Sequence, residues 1–438
     1  MKLTFLGGTG TIRGAKYLVT AGVLIVAWAS LLAPMNCWAD EPPLGGNVES
    51  LLDYARNNPE YAAMRYEAEA AAERVYPAGA FPDPLFRTEL QNITNAGSDA
   101  RPSLLPNKVG STKYTLVQPI PFWGKRDLKR EVAEADAEQA QGRAAMTWSE
   151  LAASVKTTYA RYYLVVRNEQ LTREILDLLA RLERIALGRY ESGLVPQQDV
   201  IRAQVELTTI RGELLMLESE REGLKATLNG LLARKPSAPF AVPERLRPVP
   251  PPVKLEPDAL VDRLRSHNPQ LFADDARIRA AEKSRELTYK NRYPDFAVGI
   301  SPIQTGSRIG EWELMLEINI PLQQESRRRQ ESEAESMLSA ARSRKESSAN
   351  RLIGELFENV AAMKAAQRIE ILTTTILLPQ SEATLQAALA GYETGKVDFS
   401  TLLDAQRQIR KSKQDRLKAQ ADAQARLATI ERLLGEDL

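Results

Sequence analysis

Two hydrophobic periods alternate along the chain. Residues 48–76 are rich in Ala, Glu and Arg with apolar positions at helical spacing, which predicts a helix ended by Pro82 and Pro84. Residues 85–93 then alternate weakly, with Phe86, Thr88 and Leu90 on one face and Arg87, Glu89 and Gln91 on the other. A polar loop follows, and 113–120 alternates again until Pro121. From 125 to 188 there is no proline and Gly142 is the only internal glycine. That predicts one helix of about 64 residues, roughly 96 Å long. A second helix of about 38 residues, 196–233, returns from it. The same order then recurs. Trp312, Leu314, Leu316, Ile318 and Ile320 share one strand face, and Glu313, Met315, Glu317 and Asn319 the other. Helical spacing resumes at 327–392, with a kink predicted at Pro379, and again from 399 to the C-terminus. Helices of this length cannot close a compact globule and need long partners, as in coiled coils. A strand with one apolar and one charged face suits a core and solvent, or lipid and a wet lumen; the pattern alone does not choose.

The recurrence is a tandem duplication with a period of about 200 residues. Asn58-Pro59 returns as Asn268-Pro269, and Phe81-Pro82-Asp83 as Tyr293-Pro294-Asp295. Gln118-Pro119-Ile120-Pro121 returns as Ile318-Asn319-Ile320-Pro321. Tyr190-Glu191-Ser192-Gly193 returns as Tyr392-Glu393-Thr394-Gly395, Ala203-Gln204 as Ala405-Gln406, and Leu231-Leu232 as Leu433-Leu434. Between the copies, residues 236–257 hold eight prolines and cannot be helical. The expected organisation is a leader at 1–39, a first repeat at 40–235, a linker at 236–257 and a second repeat at 258–438.

Composition removes several function classes. The chain has 438 residues and a formal charge of +1, so no basic footprint points to nucleic acid. Arg13 and Lys16 precede an apolar run at 17–34, and Cys37 and Ala39 sit at −3 and −1 of a small-residue cleavage site. That is a secretory signal peptide, cleaved near Ala39. A membrane anchor is the less favoured reading, because the run is short for a spanning helix. Lipidation of Cys37 fits poorly behind Pro34, Met35 and Asn36. The leader takes three basic residues (Lys2, Arg13, Lys16) and no acid with it, which turns +1 into −2. It also takes the only cysteine, and His267 is the only histidine. A thiolate metal site, a multi-histidine centre and a Ser-His-Asp triad lack their residues, and no enzyme activity, resident metal or cofactor is expected. His267 is read as structural.

Four strands are too few for one chain to close a barrel of useful width, whereas three chains supply twelve. The ordered landmarks closely resemble the TolC family of outer-membrane efflux proteins over essentially the whole mature chain. The matches are the paired Asn-Pro, the junction Val117-Gln118-Pro119-Ile120-Pro121-Phe122-Trp123-Gly124-Lys125, and the two tips. Those tips read Arg189-Tyr190-Glu191-Ser192-Gly193-Leu194-Val195 and Gly391-Tyr392-Glu393-Thr394-Gly395-Lys396-Val397-Asp398-Phe399, the second followed by Leu402-Leu403-Asp404-Ala405-Gln406-Arg407. The resemblance implies a mainly α fold with a transmembrane β-barrel portion: a homotrimer whose 12-stranded barrel in outer-membrane lipid continues as a long periplasmic α-helical barrel. It implies a passive duct of a tripartite efflux system, partnered by a periplasmic adaptor and an inner-membrane resistance-nodulation-division pump. The junction, the Leu378-Pro379-Gln380 kink and the second tip look most like the heavy-metal branch, so metal cations are the expected cargo, with organic compounds or secreted protein using the same tube. With so few soft ligands in the mature chain, selection falls to pump and adaptor. A periplasmic coiled-coil adaptor is the competing class; it normally carries one helical hairpin, and this sequence carries two.

The resemblance also supplies candidate site residues. Tyr190, Gly193, Leu194, Val195, Tyr392, Gly395, Val397 and Leu402 are expected at the adaptor-docking tips. Asp404 falls on an acidic position that constricts the closed aperture, with Asp199 a weaker candidate in copy one. The family's second acidic position falls on Thr401 and its arginine on Val397, two departures that put the gating network in doubt. Phe86, Trp123 and Trp312 are candidates for aromatic belts at the bilayer interfaces.

Overall fold

The computed structural model describes residues 44–93, 102, 104–243, 245–251 and 255–438. The leader, its cleavage site and Cys37 lie outside the described residues. In chain order the elements are α1 (Val48–Ala55), α2 (Pro59–Glu73), α3 (Val75–Gly79), β1 (Leu85–Gln91), β2 (Ser111–Ile120), α4 (Lys125–Glu191) and α5 (Gln197–Leu231). Copy two follows with α6 (Pro257–His267), α7 (Pro269–Lys290), β3 (Asp295–Thr305), β4 (Arg308–Asn319), α8 (Gln324–Leu372), a π-helical turn (Thr373–Leu377), α9 (Leu378–Glu393) and α10 (Phe399–Leu434).

The Asn-Pro landmarks explain how each copy closes on itself. Asn58 caps α2 by accepting from the backbone N–H of Glu60 at 2.8 Å, and Asn268 caps α7 by accepting from Leu271 at 2.9 Å. Proline at the first helical position has no N–H to leave unpaired there. Each asparagine then donates its amide to a distant carbonyl, Asn58 to Leu231 at 2.9 Å and Asn268 to Leu433 at 2.8 Å. The Asn-Pro and Leu-Leu landmarks therefore meet in space, 173 and 165 residues apart in sequence. Both asparagines are buried, so each bond satisfies a group that would otherwise be costly.

Helix α4 runs unbroken for 67 residues, about 100 Å. Its Gly142 lies against α7: an added Cβ would stand 2.8 Å from Ala273 Cβ and 3.1 Å from the Ala273 backbone. The predicted helix over 48–76 is three helices, interrupted at the Asn58 cap and at Arg74. The break expected at Pro379 takes the form of the π turn just before it, where Leu378 N–H bonds to Thr373 O across five residues. Three apolar clusters hold the helices together. One joins α4, α5, α9 and α10 toward the tips, through Leu179, Leu182, Ile210, Tyr392, Phe399 and Leu402. A second joins α6, α8 and α10 around Leu264, Met363 and Ile430, and a third packs α1 on α4 and the end of α5 around Leu51, Val155 and Leu228.

The strands of the two copies form one antiparallel sheet in the order β1-β2-β3-β4. Copy one's β2 pairs directly with copy two's β3, Leu116 opposite Ile300 and Ile120 opposite Phe296.

Candidate functional site

The register of the sheet sorts its side chains by chemistry. Phe86, Leu116, Ile300 and Leu314 stand in one cross-strand row; Val298 pairs with Leu316, Phe296 with Ile318, and Pro302 with Trp312. All of these lie on one face, and it is exposed: Trp312 is 66% and Leu314 79% accessible. The opposite face carries Arg87, Glu89, Lys113, Thr115, Ser301, Glu313, Glu317 and Asn319. Lys113 pairs with Glu313, and the Ser301 hydroxyl donates to Thr115 Oγ1 at 2.9 Å. A sheet that leaves its more apolar face exposed and carries its charges on the other, beside Val117, Ile303 and Met315, fits lipid on one side and water on the other. The 12 residues of β4 extend about 40 Å, which at a tilt of about 45° spans about 28 Å, close to the hydrocarbon thickness. Among the described residues no helix is long and apolar enough to cross a membrane.

The strand-to-helix junction is a knot between the copies. Lys125, buried at the start of α4, donates to Asp295 Oδ1 at 2.8 Å and to Tyr293 O at 2.9 Å. Phe122 N–H donates to the same Asp295 oxygen at 2.8 Å, and its ring stacks on Tyr293 with centroids 4.5 Å apart. Gly124 turns the chain at φ +79. Trp123, 74% exposed, meets Phe296 of the apolar face at 6.0 Å. Trp312 and Trp123 thus stand toward opposite ends of the apolar stripe, while Phe86 sits in register within it.

At the far end of the helices the two tips share the same three backbone turn bonds, while only copy two adds a side-chain cap, from Asp398. Gly193 (φ +69) and Gly395 (φ +74) take the left-handed conformation that ends a helix and reverses the chain. Leu194 N–H returns to Arg189 O at 2.8 Å, and Lys396 N–H to Gly391 O at 2.8 Å. Tyr190, Gly193 and Leu194 are exposed, as is Gly395; Val195 and Val397 are half-buried, Val397 against Gly391. Tyr392 and Leu402 are not surface residues: they are 1% and 0% exposed and form the core beneath the tips. Tyr392 packs on Phe399 at 5.3 Å.

Charged groups tie one tip to the other. Arg189 of copy one donates to the carbonyls of Tyr392 and Glu393 in copy two, the latter at 3.0 Å, and lies over the Tyr392 ring. Asp199 is buried, and burial raises its carboxyl above the usual aspartate range, with Arg202 opposing and Asp398 adding to the rise. Burial likewise raises the Tyr392 phenol, and Asp199 adds to it. Asp398 is the reverse case. It caps α10, accepting from Thr401 N–H at 2.9 Å, Thr401 Oγ1 at 2.5 Å and Ser400 Oγ at 2.8 Å, and these bonds hold its carboxyl down at about 2. Asp404 is exposed beside Arg407 at 3.7 Å, and Arg407 reaches across to buried Glu206 at 2.5 Å. Together they line a groove of about 690 Å³ between α5 and α10, with the exposed Ile201 and Val205 in its lining. Sequence reasoning missed the Arg189 clamp, for which no local signal exists. It also missed Asp398 as a cap, which the Asp-x-x-Thr spacing before an apolar turn does signal.

A sheet open at both edges among the described residues, apolar on one face and charged on the other, standing on a helix of about 100 Å, suits the protomer of a membrane duct. The chain belongs to the outer membrane efflux protein family, whose model matches residues 50–234 and 260–436, once in each copy. It is similar to the cobalt-zinc-cadmium resistance protein CzcC of Cupriavidus metallidurans, 24% identical over 341 residues, 74% of this chain and 78% of that protein. Its fold is similar to the outer membrane protein VceC of Vibrio cholerae, with TM-score 0.74 and 17% identity over 89% of this chain and 96% of that one. The transmembrane channel CusC gives TM-score 0.74 and 17% identity over 89% and 92%. The protein is an outer-membrane efflux channel reaching into the periplasm, and it is not an enzyme.

Proposed function

We propose that three copies close a 12-stranded barrel by joining the β4 edge of one four-stranded sheet to the β1 edge of the next, and that the trimer conducts heavy-metal cations outward. The observation that carries the barrel is the exposed apolar face from Phe86 to Trp312 on a sheet whose two edges have no partner strand among the described residues. The metal cargo rests on the likeness to a cobalt-zinc-cadmium resistance protein. The pump is of the resistance-nodulation-division type, and the adaptor docks at the tips on Tyr190, Gly193, Leu194, Val195, Gly395 and Val397. Asp404, exposed beside Arg407, takes the aperture role, where three copies near the axis repel one another and attract cations. Asp199 contributes from beneath, through its coupling to Tyr392 and Asp398. A strain deleted for this gene and complemented with it tests the cargo. Restored tolerance to cobalt, zinc or cadmium is expected; restored tolerance to organic drugs alone would overturn the metal assignment and leave the duct.

A further inference from the structure

The apolar face of the sheet stops at a chemical boundary that neither conduction nor tip docking uses. Its helix-side end is Ile120, Phe296 and Ile318, with Trp123 exposed just beyond on the same face. The next residues are cationic in both copies: Arg126, Lys129 and Arg130 in α4, and Arg327, Arg328 and Arg329 in α8. Residues 125–130 hold one acid, Asp127, and residues 324–330 hold one, Glu325. Cations in a helix's first turns oppose its dipole, so helix formation does not call for them. Four are engaged: Arg126 with Gly79 O and the Phe81 ring, Arg130 with Glu134, Arg327 with Asn291 O, and Arg329 with Glu325. Lys129 and Arg328 are exposed and make no hydrogen bond or close ion pair among the described residues; they feel Asp295 and Glu331 only at a distance.

We propose that this collar binds anionic phospholipid headgroups in the periplasmic leaflet, with Trp123 at the headgroup level and Lys129 and Arg328 pairing with lipid phosphate. Continuity with the lipid face sets the collar's height at the end of the apolar stripe, and its charge sets which lipids it prefers. Indole rings settle where hydrocarbon meets headgroup, and long cationic side chains next to them reach phosphate without leaving water. The inference rests on the reading that the apolar face of the sheet meets lipid.

The test is reconstitution of the full-length mature protein into vesicles of phosphatidylethanolamine with one tenth phosphatidylglycerol. Conductance is recorded first, then protein-bound lipid is counted by native mass spectrometry. Wild type is expected to enrich phosphatidylglycerol, and Lys129→Gln with Arg328→Gln to lose that enrichment, by about fivefold for each charge removed. Arg344→Gln, an exposed cation farther along α8, is the control and is expected to match wild type. Equal phosphatidylglycerol binding by wild type and the double variant, in channels that conduct, would overturn the collar and leave the duct standing. Loss of the wild-type phosphatidylglycerol enrichment when inorganic phosphate is added at a concentration matching the lipid would also overturn it, since the site would then be a plain anion site. Failure of wild type to insert in any vesicle would sink the lipid reading of the sheet and the collar with it.

Discussion

Asp199 and Asp398, one from each tip, feel each other's charge and have their protonation pushed in opposite directions. Asp398 is depressed to about 2 by the Thr401 and Ser400 bonds. Its contribution is therefore fully present above the ordinary aspartate pKa and is lost as pH falls through about 2. Asp199 is raised by burial, so the folded state holds its proton more tightly than the unfolded chain does. Its charge opposes the packed tip once pH exceeds its folded pKa, and acidification relieves that cost. Asp199→Asn is expected to slow amide exchange at the tips at neutral pH, with the difference from wild type shrinking in acid. Asp398→Ala is expected to speed exchange at Thr401. Exchange rates that respond in the same direction to both would contradict the assignment. Away from the tips, Asn268→Ala removes a cap and strands the Leu433 carbonyl, at a cost of about 2–4 kcal/mol. A lowered thermal midpoint of the purified protein checks it.

Among the elements, glycine shows how context sets the sign of one substitution. Gly142→Ala would drive a methyl into Ala273 and its backbone, forcing α4 and α7 apart, and is expected to lower the thermal midpoint. Gly223→Ala in α5 meets nothing within 4 Å and is expected to raise it, with about 1 kcal/mol from helix propensity. Much at this scale was legible in the sequence. The proline-free run gave α4, and strict alternation gave both faces of β4. Strand β3 was obscured because Gly299 and Pro302 interrupt its alternation; in the structure Gly299 is where Val117 and Met315 crowd the sheet. The tip motifs gave the turns but not which residues face outward. Tyr392 and Leu402 were expected at the docking surface because the resemblance places them in the tip motifs, and the packing of four helices from both copies buries them. The Arg189 clamp joins residues 203 apart and leaves no local trace.

For the whole molecule, the two faces of the sheet make opposite forecasts. Leu314→Arg puts a charge on the lipid face, at a cost of about 2–4 kcal/mol near the bilayer midplane, and is expected to abolish stable insertion. Glu317→Arg, on the opposite face, is expected to insert normally and to shift ion selectivity toward anions. The central claim is that this chain forms an open-ended duct through the outer membrane, and single-channel recording of the purified mature protein in a planar bilayer tests it most directly. Discrete, long-lived conductance steps are predicted, with Leu314→Arg giving none. A wild-type protein that stays monomeric in solution and leaves the bilayer silent would contradict it.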